Sequence, residues 1–536
     1  MKPAPNLACA WMMAFLSFTV LREFSCYKIL FALPMPNKSH FTTNRVLAEE
    51  LARRGHDVTV VTAFSQNGTS YREIIIDMKV FEALFARNRK FKNYAKMNPF
   101  ESTMHRWSVI PRALDVALST DAMQSIIHST DQYDVIMTDL SFYQSCIVAL
   151  GHKFNAPVIN ISPTAPSSYA ASVSGNPIPF SVVPSKWAAL PGRMGFFDRV
   201  FNTLISSWDL VGEFFYVQPK QEMLMRKHFT YAGSEDLPPL RKMLQNVSIT
   251  LVNSHFSLGI PRSYAPNMVE VGGFHIQPKK RLADNLERFM NKAENGVAYV
   301  SFGTLVQPHH LSSKKLLLII SALRRLKLNV ILKCNYLSDA DLQNAEDVLL
   351  LHWAPQQEIL AHSNCVLFVT HGGYNSLIEV TWAGVPVLCI PIFSDQFHNA
   401  QIFEESGIGK LLYQDQLNEE MLAETVDSII HDSNFRNRAK ELSDIIKDRP
   451  ESPMERAIFW IEYVVRHKGA HHLKPASVYL NWYEDMLLDV IAVLLLATFV
   501  ILKGLGTLLS TCRKIGKSTF ALAVLKFPTK AKEKNI

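Results

Sequence analysis

Cysteine is scarce and unpatterned. The chain of 536 residues holds seven, and Cys9, Cys26, Cys146, Cys334, Cys365, Cys389 and Cys512 lie in or beside apolar runs or near the ends. Their spacing is that of neither a zinc site nor a disulfide scaffold. They read as mostly buried thiols, although an oxidising compartment would permit a bridge. The body also lacks a charge excess. Of the formal +7, the segment Arg513 to Lys534 carries seven basic residues less one acid, Glu533, which is +6. A nucleic-acid surface is therefore not expected. No short-period repeat appears, which excludes a repeat array. The one D-x-D match, Asp339-Ala340-Asp341, follows Ser338 and reads as a helix start. No metal site and no resident cofactor are expected.

Both ends carry apolar segments. Lys2 is a short basic leader, and Leu7 to Val20 is uncharged but short for a bilayer. Residues 1–26 read as a signal peptide with a poorly defined cleavage site near Ser25 and Cys26. Residues 486–510 are long enough to cross a bilayer, at ~20 residues per span. Asp489 lies near one end of this stretch and Lys503 within it; both can reach the interface. The basic tail, residues 511–536, is then cytosolic and the body lumenal. Lys532 and Lys534 resemble a dilysine retrieval signal of the endoplasmic reticulum. Asn37, Asn67, Asn160 and Asn246 each begin an N-x-S/T sequon.

Between the ends the chain alternates strand and helix signals. Strand-like runs are Lys28–Leu33, Asp57–Phe64, Tyr133–Leu140, Pro157–Ser162 and Ser248–Ser254, followed by a junction at Val269–Gly273. An amphipathic helix is expected over Asn44–Arg54, closed by Gly55. A second set of strands begins at Val297–Gly303. Two such sets predict two doubly wound parallel-sheet domains, residues 27–272 and 273–470.

The densest chemistry lies in the second set. Val366 to Val369 is a buried strand, Gly372-Gly373 permits a tight turn, and Tyr374 to Ala383 is a helix closed by Gly384. A helix N-terminus with unpaired N–H groups suits an anion. His371, Asn375 and Ser376 add donors there. Upstream, Leu349 to Trp353 is another strand, and Trp353 and Gln356 follow it as a platform and hydrogen-bonding partner for a flat base. Downstream, Pro386 to Gln396 ends in Asp395-Gln396, a carboxylate and an amide suited to sugar hydroxyls. Glu379, four residues after Asn375, lies on the same helix face and suits a ribose. Ligands of open α/β sheets bind at the carboxyl ends of the strands. A nucleotide-sugar diphosphate satisfies all of these groups.

The stretch "WAPQQEIL…FVTHGGYNSLIEVTWAGVPVLCIPIFSDQFHNA" resembles the signature of the membrane-bound animal UDP-glycosyltransferases. The resemblance implies the GT-B fold, two facing Rossmann-like domains with the donor in the second. It implies that Trp353 stacks on uracil with Gln356 nearby, and that Glu379 holds ribose. His371, Gly373, Asn375 and Ser376 would hold diphosphate, with Ser301 and Thr304 on a second phosphate-side loop. Asp395 and Gln396 would hold the sugar. Such enzymes counter the diphosphate charge with a helix N-terminus and donors instead of a metal. The UDP-sugar is a co-substrate.

His40 follows the first strand, in a loop ending "PMPNKSH", and Asp139 ends another strand. Spacing alone does not pair them; the family pattern does, as general base and orienting carboxylate. It implies inversion at the anomeric carbon without a covalent sugar–enzyme intermediate. A glycan on Asn37 would crowd this cleft, so Asn37 is expected to be unmodified. The aromatic segments Phe196–Trp208 and Phe214–Val217 fit an apolar acceptor channel, membrane contact or plain core packing. With no cation seen beside Asp395-Gln396, glucose is favoured over glucuronate, and a membrane-held enzyme suits a small lipophilic acceptor. The rivals are a glycolipid-directed transferase of the same fold and a non-catalytic UDP-sugar-binding membrane protein. The oligomeric state, homo- or hetero-oligomer, stays open. Cutting the chain before Met486 should release a soluble body; sedimentation of that body with carbonate-washed membranes would contradict the single-span reading.

Overall fold

The computed structural model describes residues 26–66, 68–87, 97–342 and 345–525. The leader, Asn67, Lys532 and Lys534 lie outside the described residues. The chain divides into two compact units, Met1–Pro475 and Ala476–Ile536.

The first unit contains two parallel sheets. One takes β1 (Lys28–Leu33), β2 (Asp57–Thr62), β3 (Arg72–Ile75), β4 (Val135–Thr138), β5 (Val158–Ser162), β6 (Ile249–Val252) and β7 (Met268–Glu270), in the order β3-β2-β1-β4-β5-β6-β7. The other takes β8 (Val297–Ser301), β9 (Asn329–Lys333), β10 (Val348–Leu351), β11 (Cys365–Thr370), β12 (Val387–Cys389) and β13 (Gly409–Leu411), in the order β10-β9-β8-β11-β12-β13. Both are doubly wound, as the alternating signals and the family resemblance imply. The junction at Val269–Gly273 contributes β7, a last strand of the first sheet.

Burial on both sheet faces explains the continuous apolar strands. In β1, Leu30 and Ala32 enter one core, and Ile29, Phe31 and Leu33 enter the core on the opposite face. β11 divides likewise, with Leu367 and Val369 on one side and Phe368 on the other. Cys146, Cys334, Cys365 and Cys389 are free and buried, and burial raises the Cys146, Cys365 and Cys389 thiols above their ordinary range.

Six helices matter below: α1 (Lys38–Arg53), α2 (Phe196–Gly212), α3 (Tyr374–Ala383), α4 (Gln396–Glu405), α5 (Pro453–Arg466) and α6 (Leu488–Leu525). α1 begins at Lys38, not at Asn44. Asn37 caps it, its side-chain oxygen accepting from the His40 N–H at 3.5 Å and the Ser39 hydroxyl at 2.9 Å. His40 therefore sits in the first helical turn, not in a loop. α3 has the expected bounds, with Gly384 at φ +73° closing it. β12 is shorter than the expected strand, and Asp395 stands at the start of α4.

Asp341 closes a turn instead of starting a helix. Its carboxylate accepts from the Ser338 N–H at 2.8 Å and the Ser338 hydroxyl at 2.7 Å. α5, late in the chain, packs Ala457, Ile458, Ile461 and Val464 into the core under the first sheet. Arg54 fixes it there by donating to Glu455 at 3.1 Å.

α2 is split by environment. Asn202 and Ile205 are buried and the Trp208 indole donates to Thr103 at 3.0 Å, whereas Phe196, Phe197, Val200 and Leu204 are exposed. Core packing thus accounts for the inner face alone. Of the sequons, Asn37 and Asn160 are buried and hydrogen-bonded, and Asn246 is exposed.

The second unit contains α6. Among the described residues this is the one helix long and apolar enough to cross a membrane, over Leu488–Phe520. It continues past residue 510, through Arg513, Lys514 and Lys517.

Candidate active site

Each sheet reverses its winding once, between β1 and β4 and between β8 and β11. The loops leaving such a pair of strands diverge to opposite faces and open a crevice. α1 follows β1 and Asp139 follows β4. Gly303 follows β8 and His371 follows β11. One cavity of about 310 Å³ is lined by His40, Ser301, Thr304, Trp353, Gln356, His371, Gly373, Asn375, Ser376, Glu379, Asp395 and Gln396. Residues expected from both halves of the sequence thus meet in one cleft.

Asp139 stands behind His40. Its side chain is 2% exposed against 20% for His40, and His40 Nδ1 lies 2.5 Å from the carboxylate. The other carboxylate oxygen accepts from the Ser141 N–H at 2.9 Å and also from the Ser141 hydroxyl. Asn160 braces the turn by accepting from the Leu140 N–H at 2.8 Å. Phe142 meets the His40 ring edge-on at 5.4 Å. Nδ1 is thereby engaged and Nε2 is the imidazole nitrogen left for chemistry.

The expected diphosphate cradle is built by close packing. A Cβ on Gly303 would lie 2.7 Å from His371 Nε2, and one on Gly373 would lie 2.8 Å from it. The ring fits between two backbones only because both residues lack a side chain. Gly372 adopts φ +83° to make the turn. No side chain caps α3, so its first N–H groups face the cleft mouth beside Gly373. Lys333 ties down the second phosphate-side loop by donating to the Gly303 carbonyl at 2.5 Å.

Trp353 is 57% exposed, as a stacking platform requires, and the Lys38 ammonium lies 4.5 Å over its ring. Gln356 accepts from the Tyr299 hydroxyl at 3.2 Å and donates to Ser376 at 3.2 Å and to Glu379 at 2.5 Å. Glu379 also accepts from Gln357 at 3.2 Å, with His275 at 3.5 Å. Gln396 accepts from the Ile392 and Phe393 N–H groups at 2.9 and 3.0 Å, which leaves its NH₂ for a ligand. Asp395 accepts from Asn399 at 3.1 Å. The Asn375 NH₂ reaches into the first half of the chain, donating to the Thr43 hydroxyl at 2.7 Å.

A larger cavity of about 720 Å³ adjoins the cleft through Thr164, Tyr374 and Asp395. Lys186 lines it and lies in the electrostatic field of Asp395. The expectation of no neighbouring cation is thus corrected: Lys186 comes from the other half of the chain, where motif reading around Asp395 does not reach. Burial lowers Lys186, against the opposing pull of Asp395 and Asp209. Sequence reading also missed Lys38, Thr43, Phe142 and His275, none of which belongs to the dense motif.

The family model described as "UDP-glucoronosyl and UDP-glucosyl transferase" matches residues 28–519. The UDP-glycosyltransferase UGT5 of Dactylopius coccus is 33% identical over 496 residues, covering 90% of this chain and 92% of that protein. The UDP-glucosyltransferase 2 of the same organism is 30% identical over 469 residues, covering 87% and 90%. Among solved structures, the glycotransferase of kitacinnamycin shares the fold, with a TM-score of 0.52 at 19% identity over 82% of this chain and 99% of that one.

Among the described residues burial lowers five histidines, His56 and His471 modestly and three others further. His371 falls to about 4, helped by Lys333; His255 falls to about 4, helped by Arg449; His398 falls to about 3, helped by Arg262 and Lys186. Each is neutral in the fold at pH values where an ordinary histidine, near 6.5, is protonated. Between these limits the unfolded chain binds more protons, so stability is greatest above about pH 6.5 and falls toward pH 4. Thermal unfolding followed across that window should show a falling midpoint on acidification. A midpoint independent of pH there would contradict the assignment.

Proposed function

The chain belongs to the UDP-glucoronosyl and UDP-glucosyl transferase family, and from that premise we propose that it transfers a neutral hexose, glucose first, from a UDP-sugar to the hydroxyl of a small lipophilic acceptor. The observation that carries this reading is the His40–Asp139 pair at 2.5 Å, in the same cleft as the donor motif.

The acceptor hydroxyl gives its proton to His40 Nε2 as its oxygen attacks the anomeric carbon. The bond from that carbon to the β-phosphate oxygen breaks, and its electron pair leaves with UDP. Attack opposite the leaving group inverts the centre. Asp139 holds the Nδ1 proton and stabilises the imidazolium that forms. His371, Gly373, Asn375 and Ser376 at the head of α3 receive the diphosphate, with Ser301 and Thr304 opposite. Developing charge on the leaving group meets the helix N-terminus, a metal-independent arrangement. Trp353 and Gln356 hold the base, Glu379 the ribose, and Asp395 and Gln396 the sugar hydroxyls.

Lys186 lines the adjoining cavity together with Asp395, so the choice of glucose rests on the relatives and not on a missing cation. The relative named as a glucosyltransferase supports the same donor. Phe142 beside His40 favours an apolar acceptor. With the apolar part of α6 as a single span, the basic residues from Arg513 onward face the cytosol and the body faces the lumen of the endoplasmic reticulum.

His40→Ala should lower kcat by about 10²–10⁴ while UDP-sugar affinity stays nearly unchanged. Asp139→Asn should cost the same or less, and acceptors already ionised at assay pH should partly escape the His40→Ala defect. Trp353→Ala should act on the other quantity, weakening UDP binding by about 1–3 kcal/mol through lost stacking. Steady-state kinetics and calorimetry separate the two. Normal turnover of a high-pKa alcohol by His40→Ala would place the base elsewhere.

A further inference from the structure

α1 carries the base, and two contacts join it to the donor half. At its first residue, Lys38 lies over Trp353. One turn on, the Asn375 NH₂ of α3 donates to Thr43 Oγ at 2.7 Å and approaches the Ser39 carbonyl at 3.4 Å. The Thr43 hydroxyl donates in turn to the same Ser39 carbonyl at 3.1 Å. Thr43 is buried. Ser39 and Thr43 flank His40 in sequence, so one amide of the diphosphate cradle grips the helical turn that aims the imidazole.

We propose that Thr43 is a positioning residue: with Asn375 it clasps the base-bearing turn to the donor cradle, so that donor occupancy sets the place of His40. This deepens the catalytic reading above and rests on it. Asn375, in the first turn of α3, lines the cleft and spends its side-chain NH₂ on α1, so a diphosphate would meet its backbone N–H. A diphosphate seated on α3 draws that turn into one orientation, and the amide carries the orientation to Thr43. The base then meets an acceptor at the right distance only when a donor is present. A misplacement of about 1 Å in a reacting group costs roughly 10²-fold in rate, so a single hydrogen bond at this joint is enough to gate turnover.

The hydroxyl is what matters here, and two substitutions isolate it. Thr43→Val keeps the shape of the side chain and removes the hydroxyl. Thr43→Ser keeps the hydroxyl. With the full-length chain in detergent, Thr43→Val should lose about tenfold in kcat, with less than about twofold change in KM for the UDP-sugar, and Thr43→Ser should restore the rate. Hydrogen exchange gives a readout that needs neither variant nor turnover: UDP should slow exchange in the peptide spanning residues 38–43 of the unmodified chain. A Thr43→Val effect confined to KM, or normal turnover by it, would overturn the clasp. So would UDP binding, seen by calorimetry, that leaves the 38–43 peptide unchanged. No UDP binding at all would overturn the donor-site reading, and the clasp with it.

Discussion

Two reversals of strand order, β1 beside β4 and β8 beside β11, decide where chemistry is possible in this chain. At each, the chain leaves adjacent strands toward opposite faces, and the carboxyl ends of those strands open a crevice no side chain of the core can fill. α1 and Asp139 flank the first crevice; Gly303 and α3 flank the second. The pair of partly exposed His40 and buried Asp139, and the glycine-lined seat of His371, both follow from that placement. Apolar cores back the crevices on both faces of each sheet, and α5 packs under the first sheet.

The electrostatics of the cleft are divided in a way that fits its parts. His40 is held by a buried carboxylate whose other oxygen is fixed by Ser141. The histidine of the donor cradle is kept neutral by burial and by Lys333, so it can donate one N–H without adding a titrating charge. The cradle relies on uncapped backbone N–H groups, which neither titrate nor reorganise.

What the sequence disclosed tracks how local each signal is. Gly372-Gly373, the bounds of α3 and the strand before it are written within a few residues of one another, and the structure has them as read. Boundaries set by side-chain capping were harder: Asn37 starts α1 two turns before the periodic apolar pattern begins, and Ser338 and Asp341 satisfy each other in a turn. Contacts across the chain were illegible from spacing. His40 and Asp139 are 99 residues apart and Asn375 and Thr43 are 332 apart, and only the family resemblance brought the first pair together. The Asn375 contact had no such guide. Lys186 near Asp395 escaped for the same reason, since a cation next to a site in space need not be next to it in sequence.

The proposed reaction is a single displacement, in which one base and one donor cradle act on the two partners of the same bond. Its stereochemical signature is open to direct measurement. The anomeric proton coupling of the first-formed product, read by NMR before any equilibration, reports the configuration at the transferred carbon. From an α-linked UDP-hexose the account predicts a β-glycoside. An α-glycoside, with configuration retained, would require a double displacement and would contradict the roles given to His40 and Asp139.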